Sequence, residues 1–319
     1  MSGRGTTDAS PAAHIERHLT AIVTTLPLPR ALVESLEYAV LGGGKRVRPH
    51  LAWHACAAVG APGDRSLPAG AAVELVHAFS LVHDDLPALD NDDLRRGKPT
   101  LHVQAGEAMA ILAGDALLAL AFDVLARHVA EPTLTGVLAA ELSAATTGMI
   151  AGQVHDTLGG LPAGVDDRAR LELIHRNKTG ALIRAACRMG AILGLADAAL
   201  HGPQQLPGAR SALPLNIPAG LVMTDPRLAA VTRYGECIGL MFQIVDDLLD
   251  VQGHAAQTGK RTRKDAEAGK LTYPGVLGVE GSHREVERLC SESLEAVAPL
   301  GPAASALSDL ARTLASRRG

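Results

Sequence analysis

Apolar residues recur along this chain at intervals of three and four, in segments set apart by glycine and proline, from about residue 14 to about residue 315. Long Val/Ile/Thr alternations are absent while Ala and Leu abound, so the pattern predicts helices throughout and an all-α fold. In VELVHAFSLVHDD, Val73, Val76, His77, Ser80, His83 and Asp84 fall at helical spacing and form one stripe of one helix. Polar groups share that stripe with apolar ones. In ECIGLMFQIVDDLLD, Gln243, Asp246, Asp247 and Asp250 recur at three and four residues, so they project from one helix face. Between the two, residues 201–226 (HGPQQLPGARSALPLNIPAGLVMTDP) are rich in Pro and Gly and predict a long loop.

Composition narrows this picture. With 319 residues, 47% of them hydrophobic, the chain can bury a large core, and one domain over residues 14–319 is expected, preceded by a frayed tail, residues 1–13. A net charge of −4 offers no basic surface to recommend nucleic acid. The cysteines at 56, 187, 237 and 290 are far apart, form no CxxC pair and read as reduced, buried thiols. The first residues contain no apolar stretch of the signal-peptide kind, which makes the cytoplasm the default location. No uncharged apolar run reaches the roughly 18 residues of a membrane span, so none is expected.

Against this bland background stands DDLPALDNDDLRRG, residues 84–97, which sets five aspartates beside two arginines. Solvated helix faces favour Glu over Asp, and like charges at i and i+4 repel unless something neutralises them. Both this stretch and QIVDDLLD therefore read as cation sites, and oxygen ligands without His or Cys suit Mg²⁺. Asp84 and Asp90 would not share one face of a straight helix. Pro87 resolves this by ending the helix after Asp84, so that Asp90 swings back toward the same ion. Basic residues that suit phosphate oxygens are interleaved with these clusters: Lys45 and Arg48 beside a triple glycine, Arg95 and Arg96, Lys178, Lys260 and Lys270.

The stretches GGGKRVRP, VELVHAFSLVHDDLPALDNDDLRRGKPTLH, AILAGDALL, GQVHDT, HRNKTGALIRAA, FQIVDDLLDV and TGKRTRKDAEAGKLTYP, in that order, resemble the trans-isoprenyl diphosphate synthase (polyprenyl synthetase) family, most closely its bacterial farnesyl diphosphate synthases. The resemblance runs from residue 30 to residue 318. It implies the isoprenoid synthase fold, a single large helical domain with a deep central cavity, in a homodimer that requires Mg²⁺, about three ions once diphosphate is bound. Asp84, Asp85 and Asp90 on one wall and Asp246, Asp247 and Asp250 on the other match the metal ligands. Arg95, Lys178 and Lys260 match residues that bind the allylic diphosphate, and Lys45, Arg48, His77 and Arg96 match those that hold isopentenyl diphosphate. Thr179 and Gln243, with Lys178, match the polar groups near the developing carbocation. The tail residues Arg317 and Arg318 are expected to close the mouth.

The reaction so implied is condensation of isopentenyl diphosphate with dimethylallyl or geranyl diphosphate. Phe79, five positions before the first aspartate, resembles the residue that stops growth at fifteen carbons and points to farnesyl diphosphate; Ser80 is the residue directly under Asp84 on the helical wheel. Geranylgeranyl or geranyl diphosphate is the alternative product. Two departures stand out: Asn91, where close relatives often continue the acidic run, and residues 205–220, which look inserted. A terpene cyclase would lack the set at Lys45, Arg48 and His77, a noncatalytic subunit would have lost an aspartate motif, and a phosphohydrolase would need a general base for water that the sequence does not offer.

Overall fold

A computed structural model describes residues 10–201, 219–256 and 271–317. The fold is all-α, as the apolar periodicity predicts. Its helices are α1 (Pro11–Thr24), α2 (Arg30–Leu41), α3 (Val47–Ala58), α4 (Leu67–Asp84), α5 (Leu101–Ala105), α6 (Glu107–His128), α7 (Pro132–Thr157), α8 (Asp167–His175), α9 (Ala181–His201), α10 (Ala219–Met223), α11 (Pro226–Ala256), α12 (Tyr273–Val297) and α13 (Ser305–Ala315). One π-helical turn, Arg176–Gly180, separates α8 from α9.

Helix α4 is the axis about which the site is built. It packs against α1, α2, α3, α6, α7 and α9. Every residue from Ala69 to Val76 is buried, Glu74 included. A helix apolar on all sides belongs inside a bundle, so the mixed stripe read from the sequence holds only for the last two turns, where His77, Ser80, His83 and Asp84 are half-buried. Around this axis α3 packs on α9, α9 on α11 and α11 on α12.

Helix starts follow their capping chemistry. Ser10 accepts a hydrogen bond from the Ala13 amide, and Pro11 supplies a preset φ at the first position, so α1 begins inside the expected 1–13 tail. Asp166 caps α8 through the Ala169 amide at 2.8 Å. The expected 201–226 loop contains α10 and ends at Pro226, again a proline at a helix start; residues 202–218, most of the apparent insertion, lie outside the described residues. The two-residue strands β1 (Leu94–Arg95) and β2 (Lys98–Pro99) pair antiparallel around Arg96 and Gly97, both at positive φ, a hairpin the helical periodicity did not announce.

Helices Glu107–His128 and Pro132–Thr157 and the stretch Asp167–Ala199 are each long and apolar enough, by length and composition alone, to cross a membrane. This corrects the expectation that no segment qualifies: scattered charges such as Asp115 break the apolar runs without lowering the average below that of a span.

Candidate active site

The C-terminal end of α4 delivers the first acidic cluster. Helix α4 stops at Asp84, and the chain turns through Pro87 so that the Asp90 amide donates to the Asp84 carbonyl at 2.8 Å and the Asp92 amide to the Asp85 carbonyl at 3.2 Å. The proline turn thus returns Asp90 to Asp84, as its position predicts. Asn91 sits at φ 50°, a left-handed conformation that Asn tolerates better than most residues, which gives its departure from the acidic run a local reason.

Asp85 faces elsewhere. It is buried and takes a forked pair of bonds from Arg95, with the shortest at 2.6 Å and Nε at 2.8 Å from the second oxygen. The two residues expected to hold a metal and a diphosphate hold each other, and the pair braces the β-hairpin under α4. Arg96, next to it, donates to the Gly43 carbonyl, and its guanidinium lies 2.7 Å from where a Cβ on Gly44 would stand. The triple glycine therefore lets an arginine from the hairpin lie against the loop that carries Lys45 and precedes α3.

A cavity of about 380 Å³ opens beside Asp84 and runs between α4 and α7. Arg48, His77, Asp84, Gln153, Lys178 and Thr179 line its polar end, and Phe79, Ser80, Leu81, Leu89, Met149, Ile150 and Val154 contribute to the rest. Ser80, one turn below Asp84, turns its hydroxyl back to the His77 carbonyl at 2.9 Å. The Phe79 ring packs edge-to-face on His83 with centroids 4.9 Å apart, and His83 is wedged against α6, its Nε2 3.1 Å from the Ile111 carbonyl oxygen.

Lys178 and Thr179 reach the cavity because the π turn widens the helix there, a distortion frequent at functional sites. Gly152 on α7 admits the turn: a Cβ there would lie 2.2 Å from the Lys178 amide nitrogen. Lys178 Nζ pairs with Asp156 at 2.6 Å, and the Thr179 hydroxyl donates to the Gln243 carbonyl oxygen. Gln153 has both amide atoms buried without a partner among the described residues. Asp156 and Gln153 both lie in GQVHDT without a role assigned from the sequence; their signal was the i, i+3 spacing of two polar groups on one helix.

The second cluster lies on α11. Asp246 is within the electrostatic reach of Arg317, Lys45 and Arg48, so the start of α3 and the chain's last described residue border this wall. Asp247 accepts a hydrogen bond from the Tyr273 amide at 2.9 Å, which ties it to the start of α12. Asp250 is exposed and raises the Asp246 carboxyl. Lys260, Lys270 and Arg318 lie outside the described residues.

Electrostatics mark both walls. Burial first, and then the charge of Asp90, push Asp84 up to about 6 against the pull of Lys178. Burial likewise raises Asp246 to about 6, with Asp250 adding to it. His77 is held far below the usual imidazole value by burial and by Arg48, Arg96, Arg95 and Arg46, so it is neutral near pH 7. Among the described residues no three of His, Cys, Asp and Glu converge as a ready metal cage. That fits Mg²⁺ nonetheless: this ion keeps its waters and takes one or two carboxylates plus substrate phosphates, and the burial that raises Asp84 and Asp246 is a cost that a cation between them would offset.

The polyprenyl synthetase family model matches residues 29–205 and 208–299. A chloroplastic geranylgeranyl pyrophosphate synthase of Arabidopsis thaliana is 41% identical over 283 residues, covering 86% of this chain and 72% of the relative. Among solved structures, an apo FPP/GFPP synthase from Zymomonas mobilis superposes with a TM-score of 0.75 at 32% identity, covering 96% of each chain. A geranylgeranyl pyrophosphate synthetase from Pyrococcus horikoshii Ot3 does so with a TM-score of 0.77 at 26% identity, again over 96% of each chain.

Proposed function

The chain belongs to the polyprenyl synthetase family, and from that premise we propose that it condenses isopentenyl diphosphate with allylic diphosphates and releases a twenty-carbon product, geranylgeranyl diphosphate. The observation that carries the reading is the cavity beside Asp84, charged at one end by Arg48, Asp84 and Lys178 and largely apolar along its length.

Lys178 binds the allylic diphosphate, Lys45, Arg48 and Arg96 bind the other, and Arg95 braces Asp85. Asp84, Asp90 and Asp246 would hold Mg²⁺, which offsets the negative charge of the leaving diphosphate. The apolar lining excludes water, which would otherwise trap the allylic cation. Thr179 and Gln243, bonded to each other, present oxygen dipoles on the far side of Lys178. The allylic carbon–oxygen bond breaks to release diphosphate, the double bond of isopentenyl diphosphate attacks the resulting cation, the departed diphosphate takes up the proton lost, and the chain is longer by five carbons.

Two considerations favour twenty carbons over the fifteen expected from Phe79. Curated relatives 40–42% identical to this chain are named geranylgeranyl pyrophosphate synthases, and the position directly under Asp84 is filled by the small Ser80, while Phe79, which also lines the cavity, packs edge-to-face on His83. Exposed Ile111 and Leu112 on α6 suit cover by a second copy of the chain, the homodimer implied by the family resemblance. Four free thiols suit a reducing compartment such as the cytoplasm.

The test is incubation of purified protein with isopentenyl diphosphate and, in turn, dimethylallyl, geranyl and farnesyl diphosphates, with Mg²⁺ or EDTA, and mass spectrometry of the products. Mg²⁺-dependent extension of farnesyl diphosphate supports the reading. Accumulation of the fifteen-carbon product with farnesyl diphosphate left unextended would return the product to farnesyl diphosphate, and no condensation from any starter would overturn the activity.

A further inference from the structure

The turn that carries Lys45 and leads into Arg48 at the start of α3 is held by a residue between them that points into the bundle. Arg46 is buried, with its side chain 6% exposed, while Lys45 beside it is exposed. Its backbone is left-handed, φ 47° and ψ 39°, a conformation that costs a non-glycine residue energy and persists only where the surroundings hold it.

The surroundings here are three helices. Arg46 Nη1 lies 3.0 Å from Glu74 Oε1 on α4, Nε lies 2.6 Å from Glu16 Oε1 on α1, and Nη2 lies 2.7 Å from the Val40 carbonyl oxygen in the last turn of α2. Glu74 is buried as deeply as Arg46, and Glu16 is half exposed. Glu74 also acts on Arg48, whose Nε is enclosed without a partner among the described residues, and it stands one turn before His77 on the same helix.

We propose that the buried Arg46–Glu74 pair is a positioning device for the isopentenyl diphosphate site: it fixes the left-handed turn that sets the directions of Lys45 and Arg48, and it places a carboxylate behind Arg48. This rests on the function proposed above. The argument is one of charge balance. Arg48, Arg95 and Arg96 gather around a neutral His77, and a cation enclosed near other cations needs a compensating anion. Were that anion Glu74 alone, it would compete with a diphosphate for Arg48. Because Arg46 takes one Glu74 oxygen and both Glu16 oxygens, Glu74 tempers the repulsion behind Arg48 without neutralising the face that receives the ligand. Lysine cannot replace the fork, since a single ammonium cannot reach three helices at once.

The experiment compares wild type with Arg46→Lys, Glu74→Gln and Glu16→Gln by initial rates over both substrates, thermal midpoints, and calorimetric titration with isopentenyl diphosphate. Arg46→Lys and Glu74→Gln are expected to raise the isopentenyl diphosphate KM and Kd about tenfold, the loss of one buried charge-assisted bond. The allylic KM and the kcat at saturation stay within about twofold, because neither residue meets the allylic diphosphate. Glu16→Gln, at the half-exposed partner, shifts the same constant by less, and Glu74→Asp recovers part of the loss. Should Glu74→Gln fail to fold, Arg46→Lys and Glu16→Gln carry the comparison. An equal rise in both KM values, or a lower midpoint with an unchanged isopentenyl diphosphate Kd, overturns the inference. A wild type that binds isopentenyl diphosphate without condensing it would defeat the proposed function instead, and the titrations of the variants would still decide this one.

Discussion

The Lys178 ammonium lies 2.6 Å from the Asp156 carboxylate, an ion pair with 26% and 17% of its side chains exposed that ties the π turn to α7 at the polar end of the cavity. Lys178 is thereby aimed before any substrate arrives. An incoming diphosphate meets a cation whose direction α7 has already set.

Asp156→Asn keeps the shape and removes the charge that aims Lys178. Coupling in a partly exposed pair is worth about 1 kcal/mol, so the allylic diphosphate KM should rise about fivefold. The isopentenyl diphosphate KM should not move. Steady-state kinetics over both substrates reads the difference, and an unchanged allylic KM would remove Asp156 from the site.

Gly152→Ala tests the platform under the same lysine. A Cβ would sit 2.2 Å from the Lys178 amide nitrogen and 2.8 Å from the Asn177 carbonyl carbon, all backbone that cannot swing aside. The π turn must move, at about 1–3 kcal/mol of overpacking. Both kcat and the melting temperature should fall; Gly136→Ala on the same helix, where a Cβ meets nothing within 4 Å, serves as control.

Asp84 and Asp246 should trade stability for function. Each carboxyl titrates near 6 in the folded protein, above the usual carboxylate value that it regains on unfolding. Their stabilising contribution is therefore fully present below about pH 4 and is lost as pH rises through 6. At pH 7.5 without Mg²⁺, Asp84→Asn and Asp246→Asn should each melt higher than wild type, by about 1–2 kcal/mol after discounting for partial exposure. The gain should shrink toward pH 4, and turnover should be lost in both. Calorimetric melts at several pH values check this, and a variant less stable than wild type at pH 7.5 would contradict it.

Much of this site was legible from spacing alone, because helices repeat and carboxylates repel. The i, i+3, i+4 rows placed Asp84 at the end of one helix and Asp246 within another, and Pro87 foretold the turn that brings Asp90 back. What spacing did not show is which aspartate of a doublet faces inward. Asp84 and Asp85 are neighbours in sequence, yet one lines the cavity and the other is spent on Arg95, a choice made by a hairpin whose register depends on positive φ at Arg96 and Gly97. Tertiary partners also hid the importance of Glu74, which reads as one acid in an apolar helix until Arg46 is seen beside it. The same limit applied to Phe79, whose identity was plain and whose ring direction was not.

That direction leads to the last prediction. If the Phe79 ring were the floor, Phe79→Ala would lengthen the product and Ser80 would be a bystander. The ring instead packs edge-to-face on His83 along the cavity wall, with His83 held by the Ile111 carbonyl, while Ser80 stands beneath Asp84 and fills little of the cavity. Volume added at Ser80 should therefore act most directly. Ser80→Phe is expected to stop growth at fifteen carbons by standing in the path of the growing tail, with little effect on the first condensation because that tail is still short. Phe79→Ala frees His83 from its edge-to-face partner and should broaden the product range more weakly. Mass spectrometry of products from dimethylallyl diphosphate decides between the two: an unchanged distribution for Ser80→Phe with a large shift for Phe79→Ala would mean that the Phe79 ring is the floor after all.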